Sequence, residues 1–514
     1  MFRIMDLEQA SLLVSDGDTI GVNAFLSLNN PEMLHLSLAE RFEKTGHPNN
    51  LTLFCAAALG GWDEDLFADR YIKDGAVVKT ILGHYGSMPA AMRMAKEKKI
   101  EAYNMPLGVL SHTVRSAAYG QEGYLTKVGL GLFVDPRVDG PGLNDISCDQ
   151  LVKVVELEGE EYLYYKTSKV DIAFIKGTTV DPNGNIFFEK ECVMGDALSL
   201  AQATKANGGT VIVQVERVSH VFGRPGDVIV PGILVDAVVV CPNQKQFMDI
   251  AYNPSLSGDV HVPPSHMDYW MSQITLSGQR GKSKPKNAHA IIGDRASREL
   301  KKGDVVNIGI GIPENVGNHA SKRGILSQIT MTVESGGIGG LPAPGVAFGA
   351  TIGADAIIPM AQQFDFYDGG GLDICFMGGY EVDMSGNVNA HVLGGSFAGI
   401  GGFANITFAT KTVVFCMTFS AVGLVTKSTD GKIIIENEGQ LRKFKPEVEA
   451  VSFSAKHAAR KGQRVVYVTE RCVFNLTEDG LMLTEVYDGI DIKKDILDLL
   501  KFKPLIADNL KKSM

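Results

Sequence analysis

Glu334 is the residue whose setting in the sequence best suits contact with a substrate. It follows Met331–Val333, the end of a predicted buried strand, and precedes Ser335–Gly340, six residues of which four are glycine. Backbone without Cβ atoms lets a ligand approach closely and supplies open N–H donors. A surface or N-cap acid is the commoner role of a glutamate, but an unpaired carboxylate in an uncharged tract would be costly if it were merely structural. We therefore predict that Glu334 is held by a strand and open to substrate.

Further glycine clusters lie in the same half. We expect Gly401 and Gly402 to line the site as backbone N–H donors, whereas Gly369–Gly371 suit tight turns equally well. Gly399–Ala404 formally fits GxGxxG/A, but no acidic residue lies about 20 residues further on, where a dinucleotide site requires one. The pattern does not indicate a nicotinamide site.

A histidine and three aspartates are weaker candidates. His84 follows the predicted strand Val77–Leu82, at the place that Glu334 occupies in the second half, and suits a hydrogen-bonded structural role better than a general base. Asp365, Asp368 and Asp373 are more typical of turns and caps than of a metal cluster, so we predict no metal. No Walker A, HExxH or GxSxG motif occurs, which leaves NTPases, zincins and nucleophile-elbow hydrolases without support.

The elements that must position these residues alternate between strands and helices. Strands are predicted at Leu51–Cys55, Val77–Leu82, Val170–Ile175, Val211–Val215 and Ala237–Val240, and helices at Pro31–Lys44 and Ala90–Lys99. Short apolar runs between helical stretches indicate α/β units with largely buried strands.

Repeated motifs indicate an internal duplication. Val170–Phe174 with Asp181–Asn185 is echoed by Leu372–Phe376 with Asp383–Asn387, and both motifs are offset by 202 positions. Hairpin turns resemble one another in unrelated proteins, but a shared offset favours two similar domains that face each other across a cleft. We predict an N-terminal domain at 1–276, a polar linker at 277–287 and a C-terminal domain with Glu334 at 288–514.

Composition excludes several classes of protein. The 514 residues carry 49 Lys plus Arg against 59 Asp plus Glu, so nucleic-acid binding is not expected. Seven scattered cysteines without a CxxC pair suggest reduced core residues of a cytoplasmic protein, and acids near the N-terminus argue against a signal peptide. Ser335–Ala354 is uncharged but has seven glycines and two prolines, so we predict loop-rich backbone and no membrane span.

Several long motifs resemble the family I coenzyme A transferases. They include Val333–Gly340, Gln363–Asp373, Gly401–Phe403 and Tyr467–Phe474, and the resemblance covers essentially the whole chain. It is nearest to the branch with fused halves that acts on propionate, other short-chain acids and acetoacetate, in short-chain fatty acid and ketone body metabolism. It implies two similar three-layer α/β domains packed across a cleft.

The resemblance also implies a mechanism and partners. Glu334 would carry an acyl-glutamyl anhydride and then a glutamyl-CoA thioester in a ping-pong cycle. Coenzyme A would be substrate and covalent intermediate, with no permanently bound cofactor, and the other substrate a short-chain carboxylic or 3-oxo acid. A homotetramer or homodimer is implied. Gly401 and Gly402 would donate N–H groups to oxyanions, and the expected coenzyme A or acyl contacts are Ser335, Gly336, Gly337, Gly339, Gly340, Gly309 and Gly311.

Two departures from the family leave alternatives open. Members usually carry a glutamine that assists at the oxyanion from the first half, where this chain has Leu107, whose side chain cannot donate. Gly21–Leu26 also differs from the family's opening Gly-Phe stretch. A transferase predicts a thioester on Glu334, and an acyl-CoA hydrolase predicts coenzyme A release without an acceptor acid. A non-enzymatic effector-binding sensor predicts binding without turnover, but Glu334 and the lack of a DNA-binding module argue against it.

Overall fold

The first half of the molecule is built on one parallel β-sheet. The computed structural model describes residues 2–269, 271 and 287–513. The strands of the first sheet, numbered along the chain, are β1 Arg3–Met5, β2 Thr19–Val22, β3 Leu51–Cys55, β4 Val77–Leu82, β5 Glu101–Asn104, β6 Ile172–Lys176, β7 Thr210–Val215 and β8 Ala237–Val240. Their order across the sheet is β1-β8-β7-β6-β2-β3-β4-β5, and every neighbouring pair is parallel.

The second half has a larger, mixed sheet. Its strands are β9 Val305–Ile308, β10 Thr330–Thr332, β11 Gly337–Ile338, β12 Ala356–Ile357, β13 Ile374–Met377, β14 Thr412–Cys416, β15 Arg464–Val468, β16 Cys472–Thr477, β17 Gly480–Tyr487 and β18 Leu505–Ser513. The order is β12-β11-β10-β9-β13-β14-β15-β16-β17-β18. The central run from β10 to β15 is parallel, antiparallel pairs extend it on both sides, and β18 pairs with β17 in parallel.

Helices connect the strands, and short strands form smaller sheets. The helices are α1 Leu7–Ser11, α2 Glu32–Thr45, α3 Pro89–Lys96, α4 Leu107–Ala118, α5 Ala197–Ala206, α6 Asn287–Ser297, α7 Glu314–Lys322, α8 Met360–Asp368, α9 Phe403–Ala409, α10 Ala455–Arg460 and α11 Ile492–Asp495. The remaining strands are Gly123–Thr126, Val152–Leu157, Glu160–Lys166, Thr179–Val180, Ile186–Phe187, Arg217–Val218, Leu341–Pro342, Thr351–Ile352, Glu381–Asp383, Val388–Asn389, Val392–Leu393, Ser396–Phe397, Ser420–Ala421, Val425–Thr429, Lys432–Asn437, Leu441–Arg442 and Phe444–Lys445.

The two halves repeat the same topology, which confirms the predicted duplication. The parallel order β8-β7-β6-β2-β3 in the first sheet matches β15-β14-β13-β9-β10 in the second. Matching aspartates make matching hydrogen bonds: Asp171 accepts from the N–H of Thr19 at 2.9 Å, and Asp373 from that of Val305 at 2.9 Å.

One predicted equivalence is wrong. His84 follows β4, whereas Glu334 follows β10, and the counterpart of β10 in the first sheet is β3. The two residues therefore do not occupy matching places. The sequence pattern misled because β3 and β4 are adjacent apolar strands of similar length, and their order in the sheet cannot be read from periodicity.

The uncharged tract 335–354, predicted to be loop-rich, consists of turns, two-residue strands and the 3-10 helix Gly345–Ala347. No helix among the described residues is long and apolar enough to cross a membrane. Six of the seven cysteines are buried and Cys148 is exposed. The predicted linker 277–287 lies outside the described residues except for Asn287, where α6 begins. The domain boundaries remain predictions.

Candidate active site

Glu334 lies at the tip of a tight hairpin between β10 and β11. The Val333 N–H donates to Gly337 O at 2.9 Å, and the Gly336 N–H donates to Val333 O at 3.0 Å, so Glu334 and Ser335 are the two central residues of a turn. A Cβ on Gly336, whose φ is +118°, would lie 1.9 Å from the carbonyl oxygen of Ile358, so only glycine fits there. The turn directs a partly buried carboxylate out of the carboxyl edge of a parallel sheet, where α/β proteins bind ligands.

Three buried polar residues, Asn307, Thr332 and Tyr367, are hydrogen-bonded to one another next to this carboxylate. The Tyr367 hydroxyl donates to Thr332 Oγ1 at 2.8 Å, and Asn307 Nδ2 donates to Thr332 O at 3.2 Å. Burial raises the pKa of Glu334 above its ordinary value, while its own backbone N–H and the Asn307 amide oppose the rise. The carboxylate therefore loses much of its hydration but still accepts hydrogen bonds from the protein.

The Gly401–Gly402 turn lies directly against Glu334. A Cβ on Gly402 would be 3.2 Å from Glu334 Cγ, tighter than an ordinary contact, so the glutamate side chain lies beside Gly402 and leaves no free space for a side chain there. The Gly401 N–H already donates to Gly83 O at 2.8 Å. Of the two predicted donors, Gly402 is therefore the one left as a candidate.

The first half of the chain holds this turn. The N–H groups of Tyr85 and Gly86 both donate to Ala398 O, at 2.7 and 2.9 Å, and the Leu107 N–H donates to Gly401 O at 2.9 Å. The carboxyl ends of β4 and β5 therefore meet the turn that contacts Glu334. Glu334 and the Gly401–Gly402 turn thus lie where the two halves of the chain meet.

The remaining predicted contact residues have different surroundings. Gly309 and Gly311 follow β9, the strand beside β10, and a Cβ on Gly311 would meet open space. In contrast, the Cβ positions of Gly337, Gly339 and Gly340 are filled by Thr351, Asp355 and the Ile352 backbone, and buried Ser335 donates to Gly349 O. These glycines have a packing role here, and coenzyme A or acyl contacts at all seven positions remain predictions.

Leu107 and His84 border the turn without offering an ionic group. Leu107 is buried at the first position of α4, and its contribution to the turn comes from its backbone. Burial lowers the pKa of His84 to about 4, so the ring is neutral at pH 7. Its Nδ1 atom is buried and has no hydrogen-bond partner among the residues that the structure describes.

The three aspartates considered for a metal make other contacts. Asp365 pairs with Arg115 at 2.5 Å, Asp368 accepts from Asn405 at 3.0 and 3.1 Å, and Asp373 pairs with Lys411 at 2.7 Å. Within the described ranges, no group of three or more His, Cys, Asp or Glu residues could hold a metal ion. The expected absence of a metal remains a prediction.

Several residues of the site were not found from the sequence. Asn307 and Tyr367 support the glutamate, and Asn104 contacts the turn at Ile400. An asparagine near the end of an apolar strand, as in Asn104 and Asn307, is the signal that was available. It marks a buried amide that must find partners.

Comparison with known proteins gives a consistent picture. A family model described as coenzyme A transferase matches residues 4–241 and 289–494. The chain is 41% identical over 520 residues to caffeate CoA-transferase of Acetobacterium woodii, covering 99% of this chain and 96% of that protein. It is 42% identical over 481 residues to acetate CoA-transferase YdiF of Escherichia coli K12, covering 92% of this chain and 87% of the relative.

A solved structure extends the similarity to the fold. The acyl-CoA transferase YdiF of Escherichia coli O157:H7, in a thioester complex with coenzyme A, matches with a TM-score of 0.90 and 37% sequence identity. The match covers 100% of this chain and 95% of that one. The two-domain α/β architecture is therefore shared along the full length of the present chain.

Proposed function

Because the chain belongs to the coenzyme A transferase family, in the branch with fused halves, we propose that it transfers coenzyme A from an acyl-CoA to a carboxylic acid through covalent chemistry at Glu334. The observation that carries the proposal is the position of Glu334 at a hairpin tip, with the Gly402 backbone against its side chain. The similar YdiF structure, a thioester complex with coenzyme A, supports a covalent coenzyme A intermediate.

The chemistry proceeds by two exchanges at carbonyl carbons. A Glu334 oxygen attacks the acyl-CoA carbonyl and expels coenzyme A thiolate, which gives an acyl-glutamyl anhydride. The thiolate then attacks the glutamyl carbonyl and expels the first carboxylate, leaving a glutamyl-CoA thioester. A second carboxylate repeats the steps in reverse, which regenerates Glu334 and releases the new acyl-CoA. No water or net proton is consumed, and the thioester is conserved.

The Gly402 N–H supplies the proposed electrostatic assistance. Each attack passes through a tetrahedral oxyanion, and one preorganised donor is worth on the order of 3 kcal/mol. Leu107 provides no side-chain donor, so we assign this role to backbone. The anhydride and the thioester must be kept from water, and the proposed protection comes from the packing of the two halves around Glu334.

The proposed acceptors are short-chain carboxylic or 3-oxo acids. The two relatives are named for acids of different size, caffeate and acetate, and are 41% and 42% identical to this chain. Identity alone therefore does not select between them, and one methylene is worth only about 1 to 3 kcal/mol in a pocket. Acetate, propionate, acetoacetate and caffeate, each offered with acetyl-CoA or propionyl-CoA, form a direct test panel.

The mechanism is tested by intact-protein mass after incubation with acyl-CoA. We expect a coenzyme A adduct that maps to Glu334 and is removed by hydroxylamine. Glu334→Gln should form no adduct and transfer at least roughly 10³-fold more slowly. Glu97→Gln, which changes a surface carboxylate after α3, should react like the wild type. Full activity in Glu334→Gln would contradict the mechanism.

Hydrolysis is the second candidate, because the side chain of Leu107 cannot donate to an oxyanion. The two activities separate when free coenzyme A is measured with and without an acceptor acid. A transferase releases new acyl-CoA only when the acid is present. A hydrolase releases free coenzyme A at the same rate without it.

A further inference from the structure

Asn104 is the side chain through which the first half holds the Ile400–Gly402 turn. It is the last residue of β5 and is 0% exposed. Its Oδ1 accepts from the Ile400 N–H at 2.9 Å, and its Nδ2 donates to Gly83 O at 2.7 Å and Leu82 O at 3.0 Å. One acceptor and both donor hydrogens of the amide are thus used.

Among the described residues, the other hydrogen bonds between the first half and the Ile400–Gly402 turn are made by backbone groups. Gly401 N donates to Gly83 O at 2.8 Å, and Leu107 N donates to Gly401 O at 2.9 Å. A substitution leaves backbone groups in place, whereas it removes the Asn104 amide. Asn104 therefore gives experimental control over the turn without altering the turn itself.

The backbone that leads into the turn is packed tightly against the first half. A Cβ on Gly399, whose φ is +88°, would lie 2.8 Å from His84 Cα and 3.0 Å from Asn104 Nδ2. On the other side, a Cβ on Gly402 would lie 3.2 Å from Glu334 Cγ. A shift of the turn would therefore change its distance to the reacting carboxylate.

We propose that Asn104 is a positioning residue that fixes the Ile400–Gly402 turn, so that the Gly402 N–H meets the oxyanion formed at Glu334. This inference rests on the proposed function. Donors lower the barrier only when they are held at the place where charge develops, and a misplacement of about 1 Å can cost about 10² in rate. The first half thus acts on the oxyanion indirectly, because the Asn104 amide holds the turn that carries the donor.

The test is the rate at which glutamyl-CoA forms, measured by quenched-flow mass spectrometry in a single loading. Asn104→Leu keeps the side-chain size but removes every polar contact. We expect about a 10²-fold slower rate, a KM for acyl-CoA within about threefold of wild type, and the same final fraction of loaded protein. A merely structural role would instead lower the loaded fraction and leave the rate of the folded molecules unchanged.

Asn144→Leu is the matched control. The Asn144 amide also donates to two backbone carbonyls, those of Ala95 at 2.8 Å and Ile100 at 3.0 Å, but beside the amino end of β5. We expect this variant to lose stability while its loading rate stays at the wild-type value. A rate loss as large as that of Asn104→Leu would overturn the proposal.

A second variant tests the same role if Asn104→Leu folds poorly. Asn104→Asp keeps an acceptor for the Ile400 N–H but places a carboxylate oxygen against the carbonyl oxygens of Leu82 and Gly83, so the side chain is no longer anchored to the first half. Loading should therefore still be at least about tenfold slower than in the wild type. A wild-type loading rate in Asn104→Asp or in folded Asn104→Leu would overturn the positioning role. Failure of the wild-type protein itself to form any adduct would instead overturn the proposed function.

Discussion

Glu334 combines two properties that a carboxylate nucleophile needs. It must be charged to attack a carbonyl, and it reacts faster when few water molecules must be displaced from it. Burial meets the second need but raises the pKa of the group, and the Asn307 amide limits that rise. The hydrogen bonds from Tyr367 to Thr332 and from Asn307 to Thr332 O keep this surrounding fixed.

The raised pKa predicts an acid limit to activity. Protonated Glu334 cannot attack, so kcat/KM for acyl-CoA should fall as the pH falls through the pKa of the folded protein, which lies above the ordinary glutamate value of 4.5. We expect a slope of one proton on the acid side of the pH profile. A profile that stays flat down to pH 4.5, with the protein folded, would contradict this assignment.

The same pKa predicts a stability gain on removing the charge. A carboxyl group whose pKa is raised by folding contributes stability below its unfolded pKa and loses it as the pH rises through the folded pKa. Glu334→Gln, which has no charge to bury, should therefore have a higher Tm than the wild type at pH 7. The difference should shrink as the pH falls towards 4.5. Differential scanning calorimetry at both pH values measures it, and an equal or lower Tm at pH 7 would contradict the prediction.

At the scale of elements, the start of α9 sets the distance between backbone and carboxylate. Gly402 has an ordinary φ of −79°, so alanine suits the backbone there. The added Cβ would, however, lie 3.2 Å from Glu334 Cγ and 3.3 Å from Ile406 Cδ1. We expect Gly402→Ala to lower kcat by about tenfold or more through displacement of Glu334, with little change in Tm.

Gly226→Ala is the control for that substitution. Gly226 lies in the short 3-10 helix Pro225–Asp227 of the first half, where the nearest atoms to a new Cβ belong to the Arg224 side chain, 3.3 Å away. Steady-state kinetics and melting curves of both variants separate the contact with Glu334 from a general effect of alanine. Equal kcat in Gly402→Ala and the wild type would show that the contact does not constrain the glutamate.

The sequence predicts the strands better than the contacts between them. Leu51–Cys55, Val77–Leu82 and Ala237–Val240 have the predicted bounds, because buried parallel strands are continuous apolar runs. The helix predicted at Ala90–Lys99 spans Pro89–Lys96 instead, and Lys98 has a φ of +58° that no helix residue adopts. The setting of Glu334 was correctly predicted as the end of a strand and a glycine turn, which are local features.

The supports of the site could not be predicted in the same way. Asn104 and Ile400 are 296 residues apart in the chain, and Asn307 and Tyr367 are 60 apart. Such pairs form only after two sheets and a helix have taken their places, and no local pattern specifies them. The mistaken match of His84 with Glu334 has the same cause, because it depends on strand order.

At the scale of the whole molecule, the two halves both contribute residues to one candidate site. The second half carries Glu334, and the first supplies the acceptors and donors that hold the Ile400–Gly402 turn. Residues that precede the undescribed segment also lie on the second half: Asp268 accepts from Ser321 Oγ at 2.7 Å, and Ser255 O accepts from the Gly353 N–H at 2.8 Å. The interface is therefore broad and includes a segment of the first half that extends over the second.

This arrangement predicts that the chain can be divided without loss of the site. Coexpressed fragments 1–276 and 288–514 should copurify and transfer coenzyme A, because each contains a complete sheet and the interface does not depend on the peptide link between them. Either fragment alone should be inactive, since the first lacks the carboxylate and the second lacks the contacts from Gly83 and Asn104. The second fragment carrying Glu334→Gln should associate with the first without activity. Fragments that copurify in equal amounts but form no adduct at Glu334 would show that the covalent link itself is needed to align the halves.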